Sequence, residues 1–318
     1  MLDAHQLNVF LTAANTLNFT AAARQLHMSQ PSVSQHIREL ENYFDTPLFI
    51  RSGRRISLTD AGEALIPMAQ ELIGASINIE ETMRSLKDEV YGHLVVGCST
   101  TSGKYILPFL LADFLKRHPQ VQATCQVTSR PQSMQMLCDG DVHLALASAS
   151  DFCADAEFRH LVSDPVVLIV PPTHPWATRA VIEPHDLLEA NFIMREEGSG
   201  TRHIVAEGLQ RHGLALSQLS GMLTLGNSEA IALAVQEGIG VAFVTQSVVD
   251  YLVANRVVTV PVNGLEIAQD IFIGRSRRHP ASVAQTAFWN FVNNGRNPVL
   301  LEFEAACKRA MPLETAVA

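Results

Sequence analysis

The stretch from Phe19 to Leu58 admits few folds. It reads as two short helices around a tight turn followed by a β-hairpin carrying arginines, the layout of a winged helix-turn-helix. Ahead of it Leu7, Phe10, Leu11 and Ala14 recur at i, i+3, i+4 and i+7, which gives a first helix one apolar face. Thr20 is placed to cap a second helix running to Leu26. Ser29 is placed to cap a third that tolerates Pro31 in its opening turn, where an amide hydrogen would lack a partner anyway. In that third helix Val33, Ile37 and Leu40 point one way, while Pro31, Ser34, Gln35 and Arg38 fall on the opposite half, with Gln30 at the N-terminal end. A polar face alone describes any solvated helix. The next segment adds weight: Pro47 to Arg51 and Ile56 to Leu58 alternate like strands around Ser52-Gly53-Arg54-Arg55, which puts cations on a hairpin tip beside the helix. The reading expects Gln30, Pro31, Ser32, Ser34 and Gln35 at base edges of double-stranded DNA, and Arg38, Arg51 and Arg54 on phosphates or in the minor groove.

These residues also carry a resemblance. Ala21-Ala22-Ala23-Arg24-Gln25-Leu26, Ser29-Gln30-Pro31-Ser32-Val33-Ser34, Ile37-Arg38-Glu39-Leu40-Glu41 and Pro47-Leu48-Phe49 through Leu58-Thr59-Asp60-Ala61-Gly62 resemble the N-terminal signature of LysR-type transcriptional regulators. The resemblance implies promoter DNA as a partner, a homodimer built into a homotetramer, and RNA polymerase as a further partner. Many members of that family carry arginine where Gln35 stands, so a guanine contact there gives way to adenine.

Composition sets bounds on this reading. The 318 residues, 47% hydrophobic and 17% charged, suffice for two or three compact units. The net charge of -9 argues against a coat that binds nucleic acid indiscriminately, yet Arg24, Arg38, Arg51, Arg54 and Arg55 give the first residues a local positive footprint. Neither a charged leader with an apolar run nor an apolar stretch of membrane length is read, so the expected location is cytoplasmic, with no membrane partner. Cys98, Cys125, Cys138, Cys153 and Cys307 form no C-x-x-C pair and are expected as reduced thiols.

Thr59 is placed to cap a helix from Asp60 to about Glu89. Leu65, Met68, Leu72, Ala75 and Ile79 form a heptad seam that shifts by one residue to Met83, Leu86 and Val90, and Pro67 should bend it locally. Two-fold DNA sites call for paired heads, so the seam, with Leu65, Met68, Leu72 and Ile79 at its centre, is read as the dimer contact. The resemblance makes this helix the family's linker.

From Tyr91 the pattern is α/β: strands at Leu94–Gly97, Val121–Thr128 and Leu144–Ala147, with helices at Ile106–Arg117 and Ser133–Cys138. The rhythm restarts after Asp164 with strands near Val166, Phe192, Leu223 and Val241, and Ile271–Gly274 returns to the first lobe. Two doubly wound lobes make a clamp with its ligand at the strands' carboxyl ends. This resembles the family's regulatory domain, itself similar to periplasmic binding proteins. The expected organisation is a DNA-binding domain over 1–59, a linker helix over 60–90, a regulatory domain over 91–298 and a tail over 299–318. Lobe I takes 91–164 and 266–298, and lobe II takes 165–265.

Three helix starts could hold a ligand there. Ser99, Thr100, Thr101 and Ser102 open the first, although ordinary capping fits them as well and Tyr105 after Lys104 breaks a nucleotide-loop spacing. Arg195-Glu196-Glu197-Gly198-Ser199-Gly200-Thr201-Arg202 opens the second; its glycines let a ligand approach while Ser199, Thr201 and Arg202 donate. That stretch resembles loops of regulators of carbon-fixation and sulfur-assimilation genes, which implies a phosphorylated metabolite or sulfur oxyanion as effector. Gly226-Asn227-Ser228-Glu229 opens the third, and Ser148 is expected to face the same crevice. No catalytic set, metal cluster or cofactor loop is found: the 12 histidines are scattered and Ser199 lacks the nucleophile elbow. Cys98 is read as an inert buried thiol rather than a redox sensor. The competing function class is a metabolite-binding protein or enzyme with a vestigial head.

Overall fold

A computed structural model of the chain describes residues 2–52, 55–86, 89–148, 155–278, 280–295 and 297–310. They divide into two compact units, Met1–Asp88 and Glu89–Ala318.

The first unit packs α1 (Ala4–Thr16), α2 (Phe19–Gln25) and α3 (Gln30–Phe44) against the hairpin β1 (Phe49–Ser52) and β2 (Arg55–Leu58), followed by α4 (Asp60–Ser85). Asn18, not the expected Thr20, caps α2: its extended backbone lets one side-chain oxygen accept from both Thr20 N and Ala21 N, and Phe19 can then turn into the core. Ser29 caps α3 as expected, accepting from Ser32 N with Pro31 in the first turn. Leu7 and Phe10 of α1, Val33, Ile37 and Leu40 of α3, and Leu48 and Phe49 of the wing form the core. Phe49 meets Phe10 and Phe19 with ring centres 5.7 and 5.2 Å apart.

Thr59 caps α4 by accepting from Gly62 N. A Cβ on Gly62 would stand 2.3 Å from the Leu48 carbonyl, so only glycine lets α4 start this close to the wing. Leu65 and Ala69 are buried in the head's own core, which takes Leu65 out of the expected seam. Beyond them Met68, Leu72, Ile79, Met83 and Leu86 form an exposed apolar set along the helix. The helix ends at Ser85, four residues short of the expected Glu89. No described helix is long and apolar enough to cross a membrane.

In the second unit β3 (Gly92–Ser99) lies between β4 (Val121–Thr128) and β5 (Leu144–Ala147), all parallel. The helix expected at Ile106–Arg117 is preceded by a separate short one, so that α5 (Thr100–Tyr105) breaks at Ile106 and α6 (Leu107–Arg117) begins. Helix α7 (Arg130–Asp139) covers the other face of this sheet. Strand β6 (Ala156–Val170) is much longer than expected and crosses between the lobes: up to Pro165 it pairs with β11 (Ala268–Ser276), and from Val166 with β9 (Ala242–Thr245) and β10 (Val258–Val260). Lobe II adds the parallel pair β7 (Asn191–Arg195) and β8 (Ser220–Leu225), with α8 (Gly200–Arg211), α9 (Ser228–Gln236) and α10 (Gln246–Val248) after β7, β8 and β9.

Helix α11 (Val283–Val292) returns to lobe I, and α12 (Pro298–Ala310) closes its core with Leu300, Phe303 and Cys307 against Leu94, Phe114 and Phe288. The residues after Pro298, expected as a tail of unassigned purpose, thus complete a hydrophobic core. Cys138 on α7 is disulfide-bonded, against the expectation of reduced thiols throughout, whereas Cys98, Cys125 and Cys307 are free. Cys153 lies outside the described residues.

Candidate functional site

Two regions carry the residues singled out in the sequence. On the head, Gln30, Pro31, Gln35 and Arg38 are exposed along α3, and Ser32 is half-buried beside them. Ser34 departs from the expected face: it is only 6% exposed, and its hydroxyl accepts from Gln30 Nε2 at 2.8 Å. Gln35 Nε2 donates to Glu39 Oε1 at 3.0 Å, so its amide is already held in one orientation. Arg51 stands in β1, and Arg54 lies outside the described residues.

The second region is the crevice between the lobes, where β3, β5, β7 and β8 all end. Gly200 opens α8 against the end of β5: an added Cβ would lie 2.4 Å from Ser148 Oγ, so glycine is what lets the two lobes approach here. Gly198, at φ +81°, takes the left-handed turn into α8. Between them Ser199 is the N-cap of α8, yet its buried hydroxyl caps nothing and has no hydrogen-bond partner among the described residues. A buried hydroxyl without a partner costs about 1–3 kcal/mol, which a ligand oxygen would recover.

The other expected residues divide into open and occupied groups. Thr100 and Thr101 are half-exposed at the start of α5. Ser99 shares a 2.9 Å hydrogen bond with Ser102, which is buried and donates inward to the Ser99 and Leu146 carbonyls. Thr201 is also buried and donates to Gln269 Oε1 on the crossing strand at 3.0 Å. Asn227 caps α9, accepting from Glu229 N and Ala230 N. Ser102, Thr201 and Asn227 therefore serve the scaffold, because each polar group finds a nearer backbone or side-chain partner.

Several residues of or beside these stretches take parts that the sequence reading did not assign to them individually. Arg195 at the end of β7 pairs with Glu196 Oε2 at 2.7 Å and donates to Ser228 Oγ at 2.5 Å, while its carbonyl accepts from Arg202 Nη1 at 2.9 Å. This places two guanidinium groups at the starts of α8 and α9. Burial opposes the charge on Glu196, but the Arg195 guanidinium outweighs it and holds the carboxyl below its usual range. Lys104 and Tyr105 of α5 both reach Glu229 of α9. The signal for Arg195 was a basic residue at a strand's carboxyl end before a glycine turn; nothing local could have paired Lys104 with Glu229.

Deeper in the strands, Cys98 and Cys125 sit with their sulfurs 3.2 Å apart. The Cys125 hydrogen bond and burial push the Cys98 thiol far above its ordinary range, which suits the inert reading.

Residues 4–63 match the bacterial regulatory helix-turn-helix protein, lysR family, and residues 87–296 match the LysR substrate binding domain. The chain is 33% identical over 292 residues to the RuBisCO operon transcriptional regulator of Allochromatium vinosum, across 92% of this chain and 95% of that protein. The regulatory domain of CcmR from Synechocystis, solved in complex with 2-PG, is similar with a TM-score of 0.58 and 26% identity, across 63% of this chain and 95% of that one. Full-length CbnR complexed with its target DNA gives a TM-score of 0.62 at 19% identity, across 98% of this chain and 100% of that one, a likeness of fold.

Proposed function

The chain belongs to the LysR family of bacterial helix-turn-helix transcriptional regulators, and we propose that its action on promoter DNA is switched by a small anionic metabolite held where α8 and α9 begin. The observation that carries this reading is the buried Ser199 hydroxyl at the start of α8, unpartnered among the described residues, with Arg195 at the end of the strand before it and Arg202 in the first turn after it. A hydroxyl, the free amides of a helix start and two guanidinium groups are wasted on a neutral ligand and match an oxyanion. Ser148, which faces Gly200, and the half-exposed Thr100 and Thr101 are what lobe I offers to such a ligand. The relative named for the RuBisCO operon and the CcmR domain in complex with 2-PG support a phosphorylated carboxylate such as 2-phosphoglycolate as the class.

The DNA side of the reading rests on the head. Gln35 and Pro31 are the exposed residues offered to base edges, with Arg38 and the wing arginines on the backbone. The exposed stripe of Met68, Leu72 and Ile79 pairs two such heads on a two-fold site.

Calorimetry tests the effector. Wild-type protein should bind 2-phosphoglycolate, and Arg202→Ala should weaken that binding at least tenfold, about 1.4 kcal/mol. A neutral metabolite bound tightly in both proteins, with no response to the phosphorylated acid, would overturn the anion reading.

A further inference from the structure

Lobe I and lobe II are tied across the crevice by one carboxylate. Glu229 stands in the first turn of α9; its Oε2 is ion-paired with Lys104 Nζ, and its Oε1 accepts from Tyr105 OH at 2.6 Å. The Tyr105 ring goes further, entering the lobe II core beside Ile231 and Val248 and stacking on Tyr251 at 5.6 Å. Helix α5, which carries Thr100 and Thr101, is thus held to the opposite lobe by a ring, a hydrogen bond and an ion pair.

Two of the cations in the crevice are already paired within the chain itself. Arg195 is neutralised by Glu196 and Lys104 by Glu229. Ser228, the residue before Glu229, accepts from Arg195, whose carbonyl accepts from Arg202. The Glu229 carboxylate therefore stands one residue along α9 from a hydroxyl bonded to the anion site. Burial opposes its ionisation, but the bonds from Lys104 and Tyr105 prevail and hold it below the usual carboxylate range, so it is charged at neutral pH. With side-chain exposures of 39% for Lys104 and 25% for Glu229, the pair is open enough to exchange for a ligand.

We propose that Glu229 is the resident counter-anion of the effector crevice, a latch between the lobes that an anionic effector must displace from Lys104 in order to bind. This rests on the anion reading above and adds its regulation. A ligand with too little charge to replace a carboxylate leaves the latch closed. One able to replace it changes the contact between α5 and α9 in the act of binding. Binding and lobe rearrangement become one equilibrium, because the ligand and Glu229 compete for the same cation.

The test uses the full chain and inorganic phosphate as the probe. Glu229→Gln keeps the shape and an acceptor for Tyr105 but removes the competing charge. It should bind phosphate at least threefold more tightly than wild type. In the absence of phosphate, the amides of α5 should exchange hydrogen faster in the variant. Glu237→Gln, which removes the same charge at the far end of α9, should leave phosphate affinity unchanged; an equal gain there would reduce the effect to general electrostatics and overturn the latch. Equal phosphate affinity in wild type and Glu229→Gln overturns the displacement while leaving the anion site intact. Absence of phosphate binding in both, with faster α5 exchange in the variant, overturns the anion reading and the displacement with it.

Discussion

Asp164 is fully buried at the point where β6 passes from one lobe to the other. Its carboxyl accepts from Ser247 N at 3.2 Å and from Ser247 Oγ at 2.5 Å, but burial prevails over these bonds and raises its pKa to about 6. In an unfolded chain the same group titrates near ~3.9, so the native state holds the proton more tightly and loses stability as pH rises through about 6. The difference is on the order of 3 kcal/mol, fully present as stability below the unfolded value and gone at neutral pH. Asparagine fits the site: its oxygen can accept from Ser247 N, and its amide can donate to Ser247 Oγ, which itself lies 3.1 Å from Thr245 Oγ1. Asp164→Asn should therefore match wild type in urea midpoint near pH 3.5 and exceed it at pH 7.5. Parallel pH profiles for the two proteins would refute this account.

At the scale of elements, α3 and the wing decide what DNA the head can read. The amide of Gln35 is held by Glu39, which also accepts from Gln6 on α1. A side chain fixed in this way loses little entropy on meeting a base, and a bidentate glutamine contact is worth roughly 1 to 3 kcal/mol of discrimination. Gln35→Ala should relax specificity at one base pair in each half-site while leaving the salt dependence of binding unchanged, because no phosphate contact is removed. Electrophoretic titrations on single-base operator variants measure both; unaltered discrimination at every position would mean that α3 does not read bases through Gln35.

The whole molecule adds assembly. Leu72 is 37% exposed and belongs to the stripe on α4 that the head leaves uncovered, so Leu72→Asp should cost the protomer little on its own. Where two stripes meet, it would bury a charge against an apolar surface. Sedimentation should show the head dimer dissociating, and footprints should shrink from two half-sites to one or none. A variant that keeps the dimer mass and protects both half-sites would place the contact elsewhere. Leu65 is unsuited to this test, since it lies in the head's own core and its replacement would unfold the head.

What the amino-acid order determined was local. Caps, periodicity and turn residues were enough to place α3 from Ser29, β4 and β5 at Val121–Thr128 and Leu144–Ala147, and the start of α9 at Asn227, because each depends on groups a few residues apart. Tertiary packing decided the rest. It drew Leu65 into the head core and Ser34 out of the exposed face, extended β6 through Pro165 by pairing it with β11, and turned the tail after Pro298 into a wall of lobe I. In the crevice the glycines around Ser199 were legible, since backbone freedom is a property of residue type. That Glu229 meets Lys104, 125 residues away, was not: such a pair exists only because two lobes close on each other, and no local pattern encodes a contact made across a crevice.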